Sequence, residues 1–204
     1  MDCACIDSDF PCGLYLEEQT GTFYAGLRFD SIQKEDGKMS EQRKKTEEEK
    51  VVDLLKQTGL TMASAESCTG GMVASRIVNV PGASEVFMEG FVTYTEKAKR
   101  KRLHVKKKTL KKETAVSAKT AKEMARGGCQ TAKTQVCVSI TGYAGPDGGT
   151  EEKPVGTVFI GCCCLDKVKV KEYHFEGSRS EIRQQCAQQA LILVKKCLKK
   201  VKKK

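Results

Sequence analysis

Apolar and polar positions fall into a regular order from residue 46 onward. Val51, Val52, Leu54 and Leu55 recur at helical spacing behind T-E-E-E, where Thr46 and Glu49 have the spacing of a capping box, and Gly59 follows as a stop. This predicts a helix over 47–58, and residues 60–65 then read as a short strand. A helix begins near residue 72, residues 79–84 form a loop, and residues 86–95 (V-F-M-E-G-F-V-T-Y-T) are rich in strand formers, with Gly90 at a bulge position. The basic segment from residue 96 starts a helix and loosens into a loop. Ser117 caps the next helix, which buries Ala121, Met124 and Ala125 and is closed by Gly127-Gly128. Residues 134–140 alternate as a buried strand, and 157–165 with 168–175 read as a hairpin. Ser178 and Glu181 form a second capping box, opening a last helix with Ile182, Cys186, Ala190, Leu193, Val194, Cys197 and Leu198 inward. Strands alternating with helices, then a hairpin, predict an α/β fold: a three-layer α/β/α single domain with a mixed sheet.

Composition adds a compartment and a charge distribution. At 204 residues the chain suits one domain with a sizeable core. Eleven cysteines would fit a disulfide framework, but Cys162, Cys163 and Cys164 lie in an apolar run, and Cys129, Cys137, Cys186 and Cys197 at core-like positions. Cysteine in such places behaves as a small hydrophobe in a reducing compartment. No run approaches the ~20 apolar residues of a membrane span, and residues 1–40 lack a secretory h-region. A cytoplasmic protein without a membrane partner is expected. The net charge of +10 concentrates in residues 97–112 and 195–204. Neither run contains an aromatic residue, so solvated helix faces are expected rather than a nucleic-acid surface. Residues 1–45 have no clear period and read as an irregular extension, with a start expected near Met39; 46–200 form the domain and 201–204 a basic tail. Cys3, Cys5 and Cys12 have no second cluster at ligand spacing, and no metal site is expected.

The candidate chemistry sits in A-S-A-E-S-C-T-G-G-M-V-A-S-R-I, residues 63–77. It reads as a strand end, a tight turn and a helix start whose first N–H groups aim at the turn, an arrangement suited to an anion or oxyanion. Gly70 and Gly71 permit close backbone approach or positive φ. Three side chains here are candidate nucleophiles: Ser67, Cys68 and Thr69. Intrinsic reactivity favours the thiol, because a hydroxyl needs a base to take its proton. Ordinary helix capping by Ser67 explains the same local pattern.

Three long motifs occur in order: A-E-S-C-T-G-G (residues 65–71), V-P-G-A-S…F…G-x-V-x-Y-T-x-x-A-K (80–99) and T-G-x-A-G-P-x-G-G-T-x-E-K-P-V-G-T-V (141–158). With S-R-x-x-I-R at 178–183, they resemble the C-terminal domain of competence/damage-inducible CinA proteins, whose stand-alone form is nicotinamide-nucleotide amidohydrolase, across about residues 46–200. The resemblance implies deamidation of nicotinamide mononucleotide to nicotinate mononucleotide and ammonia, without metal or cofactor, by a homo-oligomer acting on a small nucleotide. It implies Ser67 as nucleophile in place of Cys68, with Lys99 as base and Tyr94 relaying the proton or holding the lysine neutral. Substrate contacts are expected from Cys68, Thr69, Gly70, Gly71, Thr141, Gly142, Gly145 and Arg183.

A lysine serves as base only if its pKa falls, through desolvation or neighbouring positive charge. Lys97, Arg100, Lys101 and Arg102 offer such a field. Oxyanion donors are expected near residues 68–71 or 141–142, and the phosphate anchor at a helix N-terminus, in the loop 145–150 or at Arg183. Departures from the family pattern are Glu96-Lys97 for Asn-Glu, Tyr143 for an aliphatic residue and Thr114 for glycine; the first leaves Lys97 and Lys99 both open as the base. The larger CinA proteins have a further N-terminal domain with pyrophosphatase activity, for which 40 irregular residues do not suffice. The competing reading is a non-catalytic nucleotide- or nucleic-acid-binding protein on the same fold. With only His104 and His174, a Ser-His-Asp triad has little support.

Overall fold

A computed structural model of the chain describes residues 43–201. Cys3, Cys5 and Cys12, the start expected at Met39, most of the expected extension and the last three lysines lie outside the described residues.

Five strands, β1 (Met62–Glu66), β2 (Phe87–Val92), β3 (Val136–Gly142), β4 (Thr157–Cys164) and β5 (Lys167–His174), form one sheet in the order β2-β1-β3-β4-β5. β1 pairs in parallel with β2 and β3, whereas β3–β4 and β4–β5 are antiparallel. Helices α1 (Glu47–Thr58), α2 (Met72–Val78) and α6 (Arg179–Leu198) pack together on one face. Helices α3 (Glu96–Leu103), α4 (Lys107–Glu113) and α5 (Ala118–Ala132) pack on the other. The expected three-layer mixed architecture is the observed one. Every residue of β1 and β4 is buried, and β3 is buried except at its last position. The alternation expected for β3 is absent because helices cover both its faces.

Both capping boxes form: Thr46 with Glu49 starts α1, and Ser178 with Glu181 starts α6. The inward residues of α6 are spent within the chain, since Ile182, Cys186, Ala190, Leu193, Val194 and Leu198 are all at most 1% exposed. The apolar character of that helix is therefore no sign of a subunit interface.

The structure departs from the sequence expectations elsewhere too. Gly127 and Gly128 do not close α5, which runs on to Ala132 and ends at Lys133 in the left-handed region. Their function is close packing: a Cβ on Gly127 would lie 1.8 Å from the Leu103 carbonyl oxygen, and one on Gly128 2.3 Å from Cys137 Sγ. The expected loop after α3 contains α4, whose buried Thr109 and Leu110 are too few to give a periodic signal among lysines. The β2 irregularity falls at Met88, since Met62 pairs with Phe87 and Ala63 with Glu89; Gly90 instead makes room for Ala74, whose Cβ would stand 3.2 Å from an added one. Thr114, at the position of an expected glycine, has φ +67°, a conformation that glycine adopts at less cost.

Because the backbone of α3 rests directly on Gly127, Gly127→Ala should destabilise the domain by about 1–3 kcal/mol through overpacking. Gln130→Ala, exposed on the same helix, should change stability by less than about 0.5 kcal/mol. Urea unfolding of both variants checks the contrast.

Candidate active site

β1 ends at Glu66, whose carboxylate is fully buried. One oxygen accepts the Gly71 and Val73 amides at 3.0 and 3.1 Å, and the other accepts the Ala74 amide at 2.9 Å and the Ser64 hydroxyl at 3.1 Å. Glu66 thus caps α2 from within the protein, and that helix end is not free for a ligand. Nor is Ser67 a capping residue: Gly71, at φ +98°, holds the N-cap position without a side-chain bond. On the other side of the turn, Arg183 from α6 donates Nε to the Cys68 carbonyl at 3.0 Å and Nη2 to the Thr69 carbonyl at 2.9 Å. A buried carboxylate and a forked guanidinium clamp residues 67–71 between them.

The clamp presents Ser67 to Lys99. The Ser67 amide donates to Ile140 on β3 at 3.0 Å, and Lys99 Nζ lies 2.8 Å from Ser67 Oγ. Lys99 comes from the first turns of α3, which Thr95 caps, and its Nζ also donates to the Thr93 and Tyr94 carbonyls at 2.8 and 3.3 Å. Its side chain is 1% exposed and has no carboxylate partner among the described residues. Desolvation lowers its pKa to about 8, with the Cys68 thiol and Glu96 opposing. The expected field of neighbouring cations is not the cause; Lys97, Arg100, Lys101 and Arg102 are exposed. Between the two candidate amines, only Lys99 meets Ser67.

The hydrogen-bond inventory at Nζ matches either protonation state. An ammonium has three N–H groups for the Ser67, Thr93 and Tyr94 oxygens. A neutral amine keeps two for the carbonyls and turns its lone pair toward the Ser67 hydroxyl. Losing the proton therefore strands no buried acceptor.

The pair opens into a cavity of about 200 Å³ outside the carboxyl ends of β1 and β3. That position, where the sheet order reverses between β1 and its two neighbours, is where open α/β sheets place ligands. Thr141, Gly142, Tyr143, Ala144 and Asp147 line one side, Ala115 and Val116 a second, and Tyr94 with Arg179 the rim. Thr141 is buried and donates its hydroxyl to the Ala115 carbonyl at 2.7 Å, fixing the wall. Gly142 lies so close to β4 that an added Cβ would meet Val158 at 2.5 Å.

Several expected site residues have other positions or partners. The Tyr94 phenol, 62% exposed, accepts from Arg179 Nη2 at 3.4 Å; only its backbone carbonyl touches Lys99. Cys68, 6% exposed, lines the cavity beside Ser67 and also belongs to the main hydrophobic core, where a hydrogen bond from Cys186 lowers the pKa of its thiol. Thr69 is fully buried, and Gly70 packs against Arg183, so neither lines the cavity, and Gly71 contributes its amide to Glu66. Arg183 is occupied by the turn and is not free as an anion anchor. Gly145, at φ +80°, accepts from Arg179 Nη1 at 2.6 Å through its carbonyl. Sequence reasoning missed Arg179 and Asp147. Arg179 was legible in hindsight, because it precedes Arg183 by four residues and so shares its helix face.

A serine in contact with a desolvated lysine, at the carboxyl edge of the parallel half of a mixed sheet, defines a class of α/β protein with a Ser–Lys pair in its cleft. The family description "CinA C-terminal domain" matches residues 44–198, and the chain belongs to that family. A "CinA-like protein" of Kosmotoga olearia is 55% identical over 151 residues, 74% of this chain and 37% of that protein. A "putative competence-damage inducible protein" of Clostridium perfringens is 51% identical over 156 residues, 76% of this chain and 38% of that protein. The chain thus spans a little over a third of the length of these curated relatives. Among solved structures, the competence/damage-inducible protein CihA of Agrobacterium tumefaciens superimposes with a TM-score of 0.70 at 36% identity, over 76% of this chain and 98% of that one. A CinA superfamily protein of Klebsiella pneumoniae gives 0.73 at 29% identity, over 75% and 96%.

The Glu66 clamp has a measurable energy. Glu66→Gln removes the charge that three amides point toward and sets an NH2 group against at least one of them. A loss of about 1.5–3 kcal/mol is expected, read from denaturant midpoints, whereas Glu85→Gln on the surface should cost less than about 1 kcal/mol.

Proposed function

We propose that this chain is an amidohydrolase that converts nicotinamide mononucleotide to nicotinate mononucleotide and ammonia. The observation that carries the reading is the 2.8 Å contact between Ser67 Oγ and a buried lysine with a pKa of about 8. An amine with that pKa is partly neutral near physiological pH and able to accept a proton from an alcohol.

In this reading Lys99 takes the Ser67 proton as Oγ attacks the carboxamide carbon. The oxyanion falls to an amide of the turn. With those of Gly71, Val73 and Ala74 committed to Glu66 and Thr69 away from the cavity, the amide of Cys68, which lines the cavity beside Ser67, is the available donor. Such a donor is worth about 3 kcal/mol in the transition state. Lys99 returns its proton to the departing ammonia, and water then attacks the acyl-serine ester with the same amine as base. The cavity is smaller than the ~300–1,000 Å³ of typical ligand pockets, which suits entry of the reacting ring while the ribose phosphate stays at the mouth. Arg179, at that rim, is the phosphate anchor in this account, replacing the expected Arg183. A cytoplasmic setting fits the eight free cysteines among the described residues, and no described helix is long and apolar enough to cross a membrane.

Ammonia release from nicotinamide mononucleotide tests the assignment. Ser67→Ala and Lys99→Met should each lower kcat/KM by about 10³-fold or more, while Cys68→Ala should keep it within about tenfold. Because the base acts as free amine, kcat/KM should rise with pH and level off above about 8. Equal turnover by wild type and Ser67→Ala would contradict the proposal, as would oligonucleotide retention with no ammonia.

A further inference from the structure

The Ser67–Lys99 cavity carries a charge that attack on an amide does not use. Among the described residues lining it, Asp147 is the one carboxylate. Ser67 and Lys99 are buried at the base, whereas Asp147 and Arg179 are both exposed, toward the mouth. These two opposite charges form no ion pair with each other or with any other described residue.

Close packing places the loop that bears the acid. A Cβ on Gly145 would lie 2.8 Å from Val155 Cγ1, one on Gly149 2.5 Å from the Val155 amide nitrogen, and one on Gly148 3.5 Å from Tyr143 Cδ1. The Gly145 carbonyl that accepts from Arg179 Nη1 at 2.6 Å belongs to the same loop, two residues before Asp147. One loop therefore carries the carboxylate and tethers the guanidinium, and the charges of the mouth are set before a ligand arrives.

A carboxylate beside a phosphate anchor opposes the binding of a simple anion, because like charges repel. It suits a ligand that carries both signs. A nicotinamide nucleotide is such a ligand, with a quaternary pyridinium nitrogen and a phosphate. When its carboxamide meets Ser67 at the base, the ring nitrogen, meta to the carboxamide and bonded to the ribose, turns toward the mouth. We infer that Asp147 is a specificity residue, which selects nucleotides with a cationic base by pairing with the pyridinium while Arg179 holds the phosphate; the inference rests on the amidohydrolase reading of this cavity. Asp147 acts in binding and transfers no proton.

Reduced nicotinamide mononucleotide provides the test, since it keeps the carboxamide, ribose and phosphate and has a neutral dihydropyridine ring. Dissociation constants for the oxidised and reduced forms are measured by calorimetry at low salt in the Ser67→Ala chain, so that neither is consumed. The oxidised form should bind on the order of tenfold more tightly. Adding Asp147→Asn should abolish that preference by weakening the oxidised form alone, whereas Arg179→Met should weaken both alike. A preference unchanged by Asp147→Asn would overturn the inference, as would an equal loss of both forms, the mark of a ribose contact, or binding of neither form. Ammonia release by the wild-type chain is followed in parallel. Release of ammonia with binding blind to ring charge would remove the role of Asp147 alone, and ring-selective binding without ammonia would remove the reaction alone.

Discussion

An amine kept from water, with three oxygens around it and no carboxylate at hydrogen-bonding distance among the described residues, governs the rest of the site. Burial disfavours the ammonium form of Lys99, and a fall from an ordinary lysine's 10.5 to about 8 corresponds to about 3 kcal/mol. A carboxylate at hydrogen-bonding distance would remove that bias by favouring the charge. The surroundings instead supply two backbone carbonyls and one hydroxyl, which satisfy the lysine without fixing its proton. Such a group costs stability in any fold, and it persists because the elements around it are fixed independently. Gly127 lets α3 rest on α5, Thr95 caps the helix that carries the lysine, and Glu66 with Arg183 sets the height of the Ser67 turn.

The division of labour between the two arginines of α6 follows from the same constraint. Arg183 is drawn to the Cys68 and Thr69 carbonyls, which the tight turn leaves without backbone partners, and serves the turn as a structural clamp. Arg179, one helical turn earlier and held by the Gly145 carbonyl, keeps its guanidinium at the cavity rim. One helix thus closes the underside of the nucleophile turn and furnishes the mouth of the cleft. The capping box at Ser178 fixes where that helix begins, and therefore where both arginines stand.

The fold was legible where the pattern was local. Capping boxes, Gly59 and the alternation of strands with helices placed α1, α6 and the sheet close to their observed bounds. It was not legible where a residue's task is set by a distant neighbour. Gly127-Gly128 reads as a helix stop until Leu103 and Cys137 are seen to press against it, and α4 hides among lysines because only two of its residues are buried. In the site, Ser67 and Lys99 were nameable from motif resemblance, whereas the cause of the lysine's shift was not. A run of neighbouring cations is visible in sequence; desolvation is a property of the packed whole. Only the tertiary structure, likewise, shows the Glu66 carboxylate occupying the helix end that the sequence leaves free for a ligand.

The protonation of Lys99 is itself observable. In protein carrying 13C at lysine Cε, the Lys99 signal, identified by its absence from Lys99→Met, can be followed by NMR as the pH is raised. A midpoint near 8, well below that of an ordinary lysine side chain, is the result this account predicts. A Lys99 signal that titrates together with the surface lysines would contradict it, because Ser67 would then face a permanent cation with no capacity to take its proton.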